Sequence, residues 1–162
     1  MIVGKIELDK KLSKLADNKT IQKALNEACV IVEASAKMKC PKDEGVLRNS
    51  ITWEVEGTTG AVGTNWFYAP YVHQGTGIHA RYGLGRQEPW GWPATPEQVN
   101  KYGIPIPDKP GKYYNASKDK NGQWRIWTHG QEPHPFLEQA LDENKLRINE
   151  AFIKAIKEAL ND

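Results

Sequence analysis

Apolar and polar positions change rhythm several times along the chain, and each rhythm predicts an element. Leu8, Leu12 and Leu15 recur at helical spacing and predict a short amphipathic helix ending near Asp17-Asn18. Thr20 can cap a second helix, in which Ile21, Leu25, Ala28 and Val32 form one face while Lys23, Glu27 and Glu33 stay outside, running to about Met38. Pro41 ends it, because the residue before a proline is pushed out of the α region. The period then drops to two: Ile51, Trp53 and Val55 alternate with Thr52, Glu54 and Glu56, as in a strand with one wet face. Gly57 to Gly60 supplies a turn, and Ala61 to Trp66 reads as the partner strand, with Val62-Gly63-Thr64 near the sheet edge. Trp124 to Thr128 reads as a further strand, entered through a Lys120-Asn121-Gly122 turn. Pro135 suits the first position of a long final helix, whose apolar face is marked by Leu137, Leu141, Ile148, Phe152, Ile156 and Leu160.

Residues 75–123 hold most of the prolines and glycines, including Pro89, Pro93, Pro96, Pro105, Pro107 and Pro110. A connection this long in a compact domain is usually functional or mobile, and its aromatics (Tyr82, Trp90, Trp92, Tyr102, Tyr113 and Tyr114) argue for partial order. The expected fold is therefore α+β. An antiparallel sheet is packed on one face by the second and C-terminal helices, and 75–123 forms a Pro/Gly/Trp-rich insertion in a single domain spanning 1–162. The other sheet face meets water or a partner.

Composition narrows the class. A chain of 162 residues can bury a core without metal or disulfide support. No apolar run approaches the roughly 20 residues that span a bilayer, and Met1 to Lys11 lacks the apolar stretch of a secretory signal, so synthesis in the cytoplasm is expected. Cys29 and Cys40 are too few for a disulfide framework and read as unpaired thiols. The net charge of +2 does not point to nucleic acid by itself, but it is unevenly spread. Residues 1–50 carry ten Lys/Arg against seven Asp/Glu, and residues 131–162 carry four against seven. Oppositely biased surfaces favour head-to-tail association, although a solvated helix face gives the same counts.

Reaction chemistry finds little purchase. His73, His79, His129 and His134 have neither the helical spacing nor the cysteine pair of a zinc site, and no metal or cofactor is expected. A nuclease built on His73 would have to draw carboxylates from Glu88 and Asp108 in the loop. Gly75-Thr76-Gly77 followed by Gly83-Leu84-Gly85 lacks the strand, spacing and helix of a phosphate loop. Ser50 and Cys40 show no local base to activate a nucleophile, so a non-enzyme is expected. Trp90, Trp92, Trp124 and Trp127 read three ways: a satellite core pinning the loop, a protein interface, or a stacking platform in a ligand-binding module.

Three short segments remain, and they recur in order. Pro41, Gly45, Leu47, Arg48, Ser50 and Ile51 form the first; Val62-Gly63-Thr64 leads to Tyr68, Ala69, Tyr71, Val72, Gly75 and Thr76 in the second; Pro133, Pro135, Phe136, Leu137 and Ala140 form the third. Together they resemble the neck family of long-tailed bacteriophages and prophages, the head-tail joining or tail-completion proteins of the HK97 type. The chain departs from the commoner pattern at Asp43-Glu44-Gly45, where Thr often precedes the glycine, and at His73, where Glu is frequent. The resemblance implies a virion protein at the neck, present in the host cytoplasm during assembly. It also implies a homo-oligomeric ring, sixfold in the family, between the head connector and the tail terminator or tail tube. A tail terminator capping the tube is the nearest alternative.

Gly45 and Gly75 fall where a turn can need positive φ. Arg48, read as lying on an apolar strand start, either grips a neighbouring subunit or is a plain surface arginine. If the segment is extended around Pro70, at most one of Tyr68 and Tyr71 points inward. Arg81, Arg86, Lys109, Lys112, Lys118 and Lys120 make the insertion basic, and in a ring such a loop can line a channel for passing DNA.

Overall fold

A computed structural model describes residues 18–41, 45–101 and 114–161. The predicted helix over Leu8 to Leu15, together with Lys109 and Lys112, lies outside the described residues. The chain divides into two compact units. One comprises the described residues up to Phe67 together with those from Phe136 onward; the other is Tyr68–Pro135.

The first unit is organised around helix α1 (Asn18–Lys39). The predicted stripe turns slightly on the helix: Ala24, Ala28, Cys29, Val32, Ser35 and Ala36 are buried, whereas Ile21 and Leu25 are half-buried. Small side chains along the buried line let neighbours approach the backbone closely. Those neighbours are the hairpin of β1 (Thr52–Glu56) and β2 (Thr59–Gly63) and the helices α5 (Phe136–Glu143) and α6 (Lys145–Asn161). The β1–β2 register pairs Trp53 with Val62 and Glu56 with Thr59, so Gly57 and Thr58 make the turn, with Gly57 at φ 57°.

Ion pairs record the direction of the helices. Lys23 meets Glu158 at 2.5 Å, Glu27 meets Lys154 at 3.3 Å, and Lys39 meets Glu143 at 2.6 Å, so α1 runs antiparallel to α5 and α6. Exposed pairs of this kind stabilise little. Packing carries the unit, with Phe136, Ile51 and Cys40 among its fully enclosed side chains.

Instead of one long C-terminal helix there are two, broken at Asn144. Its buried side-chain amide donates to the Ala140 carbonyl (2.8 Å), and its backbone N–H turns to Leu141 O (3.2 Å) in an i to i−3 bond. Asn favours such local bonding over continued helix. Helix α5 starts at Phe136, one residue after the predicted Pro135, which is within the ordinary uncertainty of helix ends.

The second unit contains α3 (Ala69–Gln74), two 3₁₀ turns at Gly77–His79 and Arg81–Gly83, and a three-stranded antiparallel sheet. Its order is β3 (Trp90–Pro93), β5 (Trp124–Thr128), β4 (Tyr114–Lys118), with α4 (Pro96–Lys101) following β3. The strands among the described residues are thus shared between two sheets. Of the second sheet only β5 was visible in the apolar pattern. Its entry turn is as predicted: the Asp119 carboxylate accepts from the N–H groups of Asn121 (2.9 Å) and Gln123 (3.0 Å), and Gly122 takes φ 77°. Helix α4 opens with a capping box in which Thr95 and Gln98 exchange backbone-to-side-chain bonds of 2.9 and 3.2 Å.

Candidate assembly surfaces

The first motif folds into one helical turn rather than a strand start. After Gly45 at φ 78°, helix α2 (Val46–Ser50) places Leu47 and Ile51 four residues apart, 4% and 1% exposed, against the core of the first unit. A segment of five residues is too short for its period to be read, which is why the pattern suggested extended chain. Arg48 accordingly stands on a helix and is exposed. Its positive charge reaches the buried Cys40 thiol, whose pKa is raised chiefly by burial and partly lowered by Arg48.

Ser50 ties this motif to the start of the second. Its hydroxyl is 2.6 Å from Thr64 Oγ1 and 2.8 Å from Leu47 O, and Thr64 Oγ1 in turn accepts from the Trp66 N–H (3.1 Å). The bonded group is partly buried. Ser50→Ala should therefore cost about 1–2 kcal/mol in urea unfolding, with Thr64→Val in the same background recovering part of the loss. A loss unchanged in the double variant would mean that the two hydroxyls do not act together.

The second and third motifs meet in the second unit. Thr76 N–H donates to Gln131 O (2.9 Å) and Ile78 N–H to His129 O (3.0 Å); Gln131 N–H returns a bond to Thr76 Oγ1 (3.0 Å), and His134 N–H reaches Val72 O (2.9 Å). Two glycines make this approach feasible. A Cβ on Gly77 would lie 1.8 Å from His129 O, and one on Gly130 would lie 1.9 Å from Thr76 O. These contacts form a backbone clasp that closes the insertion at its base. Gly75, at φ 75°, passes equally close to Gln131 and Pro133. Of the glycines that resembled part of a phosphate loop, Gly75, Gly77 and Gly85 are thus packed against other backbone, whereas Gly83 stands in open space.

Because 69–74 is helical, the inward-or-outward choice for Tyr68 and Tyr71 is set by helix geometry rather than by strand alternation. Tyr68 is half-buried at the helix entrance, and Tyr71 is 60% exposed. Pro41 is exposed, Pro133 and Pro135 are half-buried, and Phe136 is fully enclosed.

In the three-stranded sheet, directly opposed residues share a face. Trp90, Trp92 and Trp124 therefore lie on the same face as Ile126, which is completely buried. Trp127 is on the reverse face, packed over the open side of Gly91, with its indole N–H donating to Ser117 Oγ (3.1 Å). Trp90, Trp92 and Trp124 are half-buried, while Trp127 stays 38% exposed. Basic side chains stack on these rings: Arg86 on Trp90 (5.8 Å), Lys118 on Trp124 (5.3 Å) and Arg125 on Trp127 (5.7 Å). Arg81 lies 5.6 Å from the ring of Tyr82, and Lys120 is exposed in the β4–β5 turn.

Tyr82 is the only non-glycine with positive φ among the described residues (φ 66°, ψ 12°), a conformation costing roughly 1–2 kcal/mol for a residue with a Cβ. It is 77% exposed, beside Leu84 at 87% and Ile78 at 50%. No sequence signal marked this turn as an apolar projection. In the first unit, an apolar groove of about 360 Å³ lies between α1, β2, α5 and α6.

Among the described residues no group of three or more His, Cys, Asp and Glu could hold a metal ion, and His73 sits half-buried on α3. No helix among them is long and apolar enough to cross a membrane. Cys29 and Cys40 are both buried and unpaired, and burial raises both thiol pKa values. Unfolding frees these thiols to ionise first, so the unfolded state loses protons as pH rises past about 8.5 and stability should fall from there upward. Urea midpoints measured from pH 8 to 10, with and without Cys29→Ala, check this; an identical slope in the variant would contradict a contribution from Cys29.

The family model described as "HK97-gp10_like: Bacteriophage HK97-gp10, putative tail-component" matches residues 6–75, somewhat under half of the chain. The matched stretch contains the first motif and nearly all of the second, including the Ser50–Thr64 joint. It supports a phage family of the HK97 neck and tail type, and with it a structural role in a phage particle. No curated protein and no solved structure matches the chain.

Proposed function

We propose that this chain is a structural neck protein of a siphophage or prophage that joins the DNA-filled head to the tail as a cyclic homo-oligomer. The observation that carries the reading is the family match over the segment in which the first two motifs lock together through Ser50 and Thr64. The ring, sixfold as in the family, sits between the head connector and the tail terminator or tail tube. The outer edge of the β1–β2 hairpin, at Ala61 to Gly63, offers unpaired backbone to a neighbour. Large apolar side chains such as Phe67 (78% exposed) and Leu146 (78% exposed) suit contact better than water.

Deleting the gene and imaging the particles tests this directly. Filled heads beside finished, unattached tails are expected. Tails of irregular length would instead assign the tail-terminator role, and normal virions would contradict both.

The basic and aromatic side chains of the second unit support a further part of the reading, a weak and sequence-independent contact with DNA passing the neck. Neutralising Arg81, Arg86, Lys118 and Lys120 is expected to leave particles assembled while altering DNA retention or ejection. Unchanged retention and ejection would remove DNA from the list of partners.

A further inference from the structure

Helix α6 keeps apolar side chains on the side turned away from its own core. Its buried line is Ala151 and Ala155, with Ile148 and Phe152 half-buried beside them. On the opposite side Leu146, Glu150, Ile153 and Lys157 follow one another at steps of four, three and four residues, the spacing of a single ridge along a helix. All four are exposed, Leu146 at 78% and Ile153 at 50%. A shallow recess of about 420 Å³ runs beside Glu150, Ile153 and Lys157, with room for side chains from outside.

The charges of the helix divide into two groups. Lys145 is paired with Asp142, Arg147 donates to Asn144 Oδ1, Lys154 meets Glu27 and Glu158 meets Lys23. Glu150 and Lys157 are the two charged residues of α6 with no such partner among the described residues. They stand about 10 Å apart along the axis, one before and one after Ile153 on the same ridge.

Reversal makes this pattern its own complement. When a second copy of α6 is laid antiparallel on the first, with a twofold axis beside Ile153, Glu150 of each helix faces Lys157 of the other and the two Ile153 side chains meet between them. A parallel pairing would set Glu150 against Glu150 and Lys157 against Lys157. Two free charges of opposite sign, placed evenly about an apolar centre, thus select both the orientation and the occupant, another copy of the same helix.

We infer that α6 is a self-pairing surface, through which two copies of this chain associate with their α6 helices antiparallel about an axis beside Ile153. The same patch serves on both copies, so the contact closes at two and cannot by itself extend into a ring. It goes beyond the ring reading above and does not depend on it. A single helix face is a small interface, so the pair is weak, reversible and sensitive to salt.

Charge reversal in the full chain, followed by sedimentation at low salt, tests the pairing. Glu150→Lys and Lys157→Glu should each weaken the dimer at least about tenfold, because the ridge becomes wholly positive in one and wholly negative in the other. An equimolar mixture of the two variants should restore it as a heterodimer, and so should the chain carrying both reversals. Both positions are exposed, so the urea midpoints should stay close to that of the parent. Ile153→Cys protein should form a disulfide dimer on oxidation at least about tenfold faster than Lys120→Cys protein, since the axis brings only the former side chain against its own copy; Cys29 and Cys40 are buried. Self-association unchanged by either reversal, or single variants that fail to recover on mixing, would overturn the pairing. Oligomers that form without the Ile153 crosslink would overturn the α6 contact and leave the ring standing. A chain that stays monomeric up to about 1 mM would overturn the pairing as well.

Discussion

Replacing Gly77 by alanine should unfold the second unit. The new Cβ would be placed 1.8 Å from His129 O, at φ +61°, in a clasp made of backbone on both sides. Neither strand of the clasp can yield as a flexible side chain would. Relief requires breaking the Thr76–Gln131 and Ile78–His129 hydrogen bonds, so the expected cost is about 3 kcal/mol or more. Near-UV circular dichroism should lose the contribution of Trp90, Trp92, Trp124 and Trp127, and limited proteolysis should cut within 68–135 while sparing α1. Gly83→Ala is the control. It too has positive φ (67°), but nothing lies within 4 Å of its added Cβ, so its loss should be much smaller. Equal losses at the two sites would mean that backbone conformation, and not the clasp, is what matters at Gly77.

Phe136→Ala should carry the other large effect. Phe136 is fully enclosed and opens α5, the helix that lies against α1. Removing an enclosed phenyl ring from a core that cannot collapse around the gap costs about 3–5 kcal/mol. Urea unfolding followed at the α-helical signal should show this loss, with Phe136→Leu falling well short of it because most of the volume is kept. Assembly of the full chain should fail in parallel. A Phe136→Ala protein of unchanged midpoint would show that the third motif is not structural.

The contrast between the two positions explains what could be read from the sequence. Phe136 sits at the head of a helix with an apolar period, and α1, β1 and β5 likewise declare themselves by local rhythm and by turn residues such as Asp119 and Gly122. The clasp has no local rhythm. Gly77 and Gly130 need each other across more than fifty residues, and each alone looks like a loop glycine. Strand β3 was hidden for a related reason, since Trp90-Gly91-Trp92-Pro93 mixes strand formers with residues that usually end strands, and its Gly91 is explained only by Trp127 lying across it. The break at Asn144 carries no proline or glycine and depends on one side-chain bond. Thr95-Pro96-Glu97-Gln98 was legible as a capping box with proline at its first helical position, and that signal would have placed α4 inside the insertion.

The candidate surfaces follow the same division. The motifs that carry the family resemblance proved to be joints: Ser50 to Thr64 in one unit, and Gly75 and Thr76 to Gln131 and Pro133 in the other. Arg48, expected on a strand, came to lie exposed on a helix. Tyr82, Leu84 and the groove were not anticipated, because an outward projection and a recess are products of tertiary packing.

The account is tested most directly by a cryo-electron reconstruction of the neck of the phage that encodes this chain. It predicts a closed ring of copies of this chain between the head connector and the tail. Absence of the chain from the particle, or its presence as isolated copies away from the collar, would contradict it.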